Sequence, residues 1–259
     1  MAVAEQTGRK PPGAVAIHVS RSLAWADLKA ALAAGWADYR AAPQFGLFFA
    51  GIYVAAGLAL AWALANQSAV AWLVPAAAGF PLLAPFCAVG LYDVSRRREA
   101  GLPLRWLAVL AALKGRGDEQ ILSMGVIIFV AFGFWLMIAH AIFTIFQSGS
   151  GTDSFAFLLS STGLIMLAVG SAVGAAMALA FYAVTVVSLP MLVDRDVDFM
   201  TAIITSLSAM RANGHMLLIW AVLIAGSLFM AMLPAFLGLL VVLPVLGHAT
   251  WHLYRRIVS

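Results

Sequence analysis

Charge is scarce in this chain and cysteine is nearly absent. Of its 259 residues only 10% are Asp, Glu, Lys or Arg, while 64% are apolar. Soluble domains carry about 25% charged residues, so a soluble fold of this length would lack the side chains needed to coat its surface. The single cysteine, Cys87, excludes an internal disulfide. Walker loop, dinucleotide glycine pattern, metal-ligand cluster and nucleophile motif are all missing, which leaves no warrant for an enzyme or a resident cofactor. Residues 1–21 lack the sustained apolar core of a cleaved signal and read as a disordered, polar cytoplasmic tail.

What is present is apolar runs. The 52 residues from 41 to 92 and the 43 from 212 to 254 hold no charge, and between Glu119 and Asp194 the only charge is Asp153. A helix needs about 20 apolar residues to cross the hydrocarbon core. The pattern predicts an all-α polytopic membrane protein with six transmembrane helices, at about 45–65, 69–92, 120–146, 155–189, 215–233 and 235–254. The fourth ends at Pro190 and is either one long tilted helix or a span with a re-entrant piece at "SSTG"; the fifth and sixth join tightly at Pro234.

All 15 basic residues fall before the first span or after the second, fourth and sixth. Lys and Arg stay on the cytoplasmic side of short loops, so both termini are expected in the cytoplasm. In "SLAWADLKAALAAGWADYR", Trp25, Leu28, Leu32, Trp36 and Tyr39 share a stripe, with Asp27 and Asp38 opposite. That is the layout of an interfacial amphipathic helix. "DRDVDFMTAIITSLSAMR" repeats it through Phe199, Ile203, Leu207 and Met210, and "LPLRWLAVLAALK" does so more weakly. A shift of 171 residues lays Asp27 on Asp198, Ala31 on Ala202 and Arg40 on Arg211. Residues 22–256 are therefore expected to form one membrane domain of three hairpins, at about 22–95, 96–193 and 194–256, each preceded by a cytoplasmic interfacial helix.

Several stretches are distinctive: "GWADYRAAPQFGLFFAGIYVAAG", "PAAAGFPLLAPFCAVGLYDVSRRREAG", "SLPMLVDRDVDFMTAIITS" and "PAFLGLLVVLPVLGHATWHLYRR". From about Trp25 to Arg256 the wording resembles a bacterial integral membrane family known as domain of unknown function 2189. The resemblance implies an inner-membrane protein and no established activity, cofactor or catalytic residue.

Few residues invite chemistry. His248 and His252 stand four apart, on one helix face. They offer a metal or haem site or, flanked by Trp251, Tyr254 and Arg255, only the surfacing of a membrane helix. His140 lies deeper, where a polar group is a functional candidate by default. Five histidines, one of them (His18) in the tail, are too few for a haem–copper oxidase core. Ser160, Ser161, Ser171 and Thr185 on the fourth span are the candidates for a polar pathway, with Thr162 and Ser188 beside them. Gly163, Gly170 and Gly174 are candidates for close helix packing. Trp25, Lys29, Trp36, Arg40, Arg96, Arg97, Arg98, Trp251, Tyr254 and Arg255 are candidates for contact with lipid. The leading expectation is a non-enzymatic accessory or organising partner of a membrane complex. Its partners would be lipid and another membrane protein or a second copy of the chain, not nucleic acid. A transporter or channel for a small weakly polar solute, or a haem- or quinone-linked accessory subunit, is the alternative.

Overall fold

A computed structural model describes residues 17–66, 84–112, 120–147 and 155–258; residues 1–16 of the expected tail and most of the expected second span (67–83) lie outside the described residues, whereas residues 17–21, expected to be disordered, are held against α8 and α9 through Val19 and Ser20. The described chain is helical, with one isolated bridge between Val19 and Val258. Its helices are α1 (Trp25–Ala41), α2 (Pro43–Asn66), α3 (Ala84–Glu99), α4 (Trp106–Ala111), α5 (Gln120–Gln147), α6 (Phe155–Leu158), α7 (Ser161–Asp194), α8 (Phe199–Met232) and α9 (Leu239–Ile257). Four of them, α2, α5, α7 and α8, contain stretches long and apolar enough to cross a membrane.

The C-terminal helix α9 is the axis of the bundle. It packs against α1, α2, α3, α7 and α8, and its side chains are buried along most of its length, from Leu239 to Ile257. Few of its positions are exposed, among them Val241, Arg255 and Arg256, and α9 carries small residues where neighbours come closest. The sharpest case is Gly35 of α1. A Cβ there would lie 2.5 Å from the Ala249 nitrogen and 2.7 Å from the Val245 carbonyl oxygen, both backbone. Only glycine lets α1 and α9 meet at that distance. Two apolar clusters flank the axis, one including Leu217, Trp220, Trp251 and Tyr254, the other Phe45, Phe49, Leu239 and Leu243.

Several expected boundaries move. Pro190 does not end its helix: α7 runs on to Asp194, because a proline removes a single N–H donor and surrounding packing absorbs that loss. Residues 161–163 form the start of α7, so the "SSTG" stretch is the cap and first turn of that helix. Ser160 caps α7, accepting the Gly163 N–H at 3.1 Å and donating to the Phe157 carbonyl at 2.6 Å. The second amphipathic segment and the fifth expected span are one 34-residue helix, α8, which leaves helical geometry only at Asn213 (φ −130°, ψ 28°). Residues 233–238 form a turn in which Ala235 and Phe236 have positive φ, so α9 begins at Leu239 rather than at 235.

The stripe expected on α1 is also rotated. The buried face is Leu28, Ala31, Gly35 and Asp38, whereas Trp25 and Trp36 are 48% and 45% exposed. Small residues decide this, since they allow the approach of α9 that larger apolar residues would block. A shift of 171 residues lays this face on Phe199, Ala202, Ser206 and Ala209, of which the last three are buried. Ser206 enters the backbone ladder of α7, donating to the Ala183 carbonyl at 2.7 Å and accepting the Val187 N–H at 3.2 Å.

Replacing Gly35 by Val is expected to force α1 off α9 and lower stability by about 1–3 kcal/mol or more. Gly170→Ala, where no described atom lies within 4 Å, should leave the midpoint unchanged or slightly raised. Thermal unfolding of both variants in one detergent checks the pair.

Candidate functional site

Polar side chains converge at one end of the bundle, where α1, α3, α7 and α9 meet. Asp38, on the buried face of α1, is the centre. Its Oδ1 accepts from Arg98 Nε at 2.7 Å, and its Oδ2 accepts from Ser95 Oγ at 2.6 Å and from His252 Nε2 at 2.8 Å. Asp38 is 6% exposed. Burial works to raise its pKa, but the hydrogen bonds from His252, Ser95 and Arg98 together outweigh that and hold it at about 2.

The next shell follows from proton accounting. Ser95 gives its proton to an ionised carboxylate, so its oxygen accepts from His248 Nδ1–H at 2.8 Å. This fixes the His248 tautomer and leaves Nε2 as a lone-pair acceptor, buried with no partner among the described residues. A Ser–His–Asp set is thus present with its roles reversed. His248 donates to Ser95 and cannot take its proton, so Ser95 is not an activated nucleophile.

Further ion pairs close this end. Asp93, fully buried on α3, is held by Arg96 and by Arg97, the latter at 2.5 Å; Arg97 also donates to the Ala108 carbonyl at 3.3 Å and so secures α4. Glu99 accepts from Trp251 Nε1 at 3.0 Å and from Arg255 at 3.2 Å. Asp194, at the end of α7, accepts from Tyr254 at 2.8 Å and Arg255 at 3.1 Å. Arg256 reaches Asp27 at 2.7 Å. The start of α5 is tied in where the Phe199 N–H donates to Gln120 Oε1 at 2.9 Å.

These contacts place the residues singled out by sequence. His248 and His252 do share a face, and they are joined there through Asp38 and Ser95. Among the described residues no group of three or more His, Cys, Asp or Glu could hold an ion. His140 lies on α5, whose main partners are α7 and α8, away from the pair. Trp251 and Tyr254 are each 1% exposed and bond Glu99 and Asp194, so they are core residues and not lipid anchors. They are covered because α3 and α7 end against α9. Arg96, Arg97, Arg98 and Arg255 are ion-paired within the bundle, whereas Trp25, Lys29, Trp36 and Arg40 form the outer stripe of α1, with Lys29 Nζ 5.7 Å from the Trp25 ring.

The fourth-span residues do not converge either. Ser160 is a cap, Ser161 and Ser171 are exposed on α7, and Thr185 donates to the Phe181 carbonyl at 2.9 Å. Gly163 and Gly174 are packed against the Phe157 carbonyl and the Trp135 ring, while Gly170 has open space. Sequence reasoning missed Asp38, Asp93 and Ser95. The signal for Asp93 was legible, since Asp93-x-x-Arg96-Arg97 is helical ion-pair spacing. The signal for Asp38 was the row of small residues at 31 and 35 on its own face.

The Asp38 pKa sets a pH dependence. Because the folded value of about 2 lies below the ordinary 3.8, the stabilisation is complete above about pH 4 and is lost as pH falls toward 2. The shift corresponds to about 2–3 kcal/mol. Asp38→Asn should abolish that slope and, by leaving Arg98 and His252 without their acceptor, cost about 3–5 kcal/mol at neutral pH. Unfolding midpoints measured from pH 7 to pH 2 test both statements.

No curated protein and no solved structure matches the chain. Residues 73–194 match the model of a family described as "Predicted integral membrane protein (DUF2189)", a shorter segment than the resemblance read from Trp25 to Arg256. By that match and by its apolar helices the chain is an integral membrane protein, similar over residues 73–194 to the family called domain of unknown function 2189.

Proposed function

We propose that the chain is a non-enzymatic organiser of a membrane assembly, crossing the bacterial inner membrane six times in three hairpins and acting through helix packing and lipid contact. Alternate helices begin or end at the ion-paired end. Helices α2, α5 and α8 start there, next to Asp38, at Gln120 and at Phe199; α3, α7 and α9 finish there at Glu99, Asp194 and Arg255. Six alternating crossings fit that pattern. The gathering of cations there supports a cytoplasmic location for this end and for both termini.

The observation that carries the reading is the outer face of α7. Ala168, Ser171, Ala172, Ala175 and Ala178 are exposed, on a face turned about a quarter-turn from the side on which Gly174 meets Trp135. In lipid, helices associate by close packing instead of hydrophobic exclusion, and small residues permit that approach. A face of this kind accepts another helix, from a second copy or from a different membrane protein. The outer stripe of α1 adds lipid contact, each cation near an anionic surface contributing about 1 kcal/mol.

Cross-linking in native membranes tests the proposal. A protein carrying Cys87→Ser and Ala172→Cys should give a discrete adduct with a neighbouring helix. Adding Ala168→Leu and Ala175→Leu should reduce its yield on the order of tenfold, the equivalent of 1–2 kcal/mol of helix association. An absent adduct, or solute flux in proteoliposomes that Ser161→Leu or Ser171→Leu abolishes, would overturn it in favour of a transporter.

A further inference from the structure

A recess of about 520 Å³ lies between residues 17–21 and the first half of α8, its wall including His18, Val19, Arg21, Ile204, Thr205 and Ser208. Its sides are pinned. The Ser20 N–H donates to the Ile257 carbonyl at 2.8 Å. Asn213 holds the same segment twice, donating through Nδ2 to the Ser20 carbonyl at 2.7 Å and accepting the Leu23 N–H on Oδ1 at 3.2 Å. The residue that breaks the helical geometry of α8 is therefore the one that anchors the N-terminal segment.

The depth of the recess follows from helix length. The break at Asn213 divides α8 into two helical parts, and the first, from Phe199 to Ala212, is about 21 Å long, too short to cross a hydrocarbon core of about 30 Å. The part after Asn213 is about 28 Å long, close to that thickness. The lining positions Thr205 and Ser208 fall in the turns just before Asn213, at the level of headgroups.

The donors and acceptors are specific. Arg21 is permanently charged and exposed, and it has no ion-pair partner among the described residues, unlike Arg96, Arg97, Arg98, Arg255 and Arg256. The wall of the recess carries no carboxylate, and two acids of the flanking helices have partners already: Asp27 holds Arg256, and Asp198 caps α8 through Thr201. His18 supplies an N–H in either protonation state. On the opposite wall, Thr205 and Ser208 donate their hydroxyl protons at 2.8 Å to the carbonyls of Thr201 and Ile204. Their oxygens are left as acceptors. The recess thus offers cationic and N–H donors for a phosphate, acceptors for hydroxyl groups, and the apolar Val19 and Ile204 between them.

We infer that this recess binds an anionic phospholipid whose headgroup carries hydroxyls, with Arg21 and His18 on the phosphate and Thr205 and Ser208 accepting from the headgroup. The assignment rests on the reading of α8 as a membrane-crossing helix, not on the outer face of α7. A soluble phosphate ester has the same chemistry, and the test separates the two sources.

Full-length protein in mild detergent is offered equal phosphatidylglycerol and phosphatidylcholine of matched chains, and retained lipid is counted by native mass spectrometry. The wild type should retain phosphatidylglycerol over phosphatidylcholine by on the order of tenfold, or ~1.4 kcal/mol. Arg21→Gln and Ser208→Leu should each bring the ratio near one. Arg105→Gln, which removes an exposed cation elsewhere, should leave it unchanged. Ser208→Leu fills the recess without altering charge, so the two variants fail for different reasons if either unfolds. An Arg21→Gln or Ser208→Leu protein that keeps the preference, or a wild type with none, would overturn the inference. So would lipid-free protein that binds soluble glycerol phosphate but retains no lipid. An Arg21→Gln protein that loses the lipid yet keeps the cross-link at Ala172→Cys separates this site from the proposed organising surface.

Discussion

The buried carboxylate of Asp38 organises the polar end of this protein. A charge in a poorly solvated place is tolerable only when donors replace the water it has lost. Here three donors do so, from two other helices: Ser95 and Arg98 on α3, and His252 on α9. Because each bond is short and directional, they set the register of α1, α3 and α9 together. Gly35 makes this possible, since without its missing Cβ the backbones of α1 and α9 could not come close enough for His252 to reach Asp38.

From that centre the structure divides sharply. Every ion pair among the described residues lies at one end of the bundle, and α2, α5, α7 and α8 each carry a long apolar stretch. The division is what a bilayer requires of its occupant: charges where water and headgroups are, self-satisfied backbone in between. It also separates the two outward surfaces. The small-residue face of α7 lies along the apolar length, where only close packing can hold a partner. The recess beside Arg21 lies at the polar boundary, where phosphate recognition is possible.

Much of the helical framework was legible in the sequence. Uncharged runs located α2 and α5 closely and α7 to within about six residues at each end, because helix length and hydropathy are properties of consecutive residues. Where a boundary depended on what a neighbour supplies, the sequence misled. Pro190 is a helix breaker in isolation, yet α7 continues through it within a packed environment. The segment before the expected fifth span joins that span as α8, its departure from helical geometry held at Asn213 by residues more than 190 positions away in the chain. Trp251 and Tyr254 had the composition of interfacial anchors, but their indole and phenol groups find partners on Glu99 and Asp194 inside the bundle.

By itself the sequence determined the solvent, hydrocarbon, and the clustering of cations in alternate segments, because both follow from composition along the chain. It also held the local pairing of Asp93 with Arg96 and Arg97, which one helix makes alone. Only the tertiary structure decided which acid would be the buried centre. Asp27 and Asp38 are alike in sequence, and what distinguishes them is that one faces α9 beyond Gly35 while the other caps the start of α1. The fate of the two histidines was settled in the same way. Their spacing put them on one face, and Ser95 and Asp38, brought from other helices, joined them there in one hydrogen-bonded network.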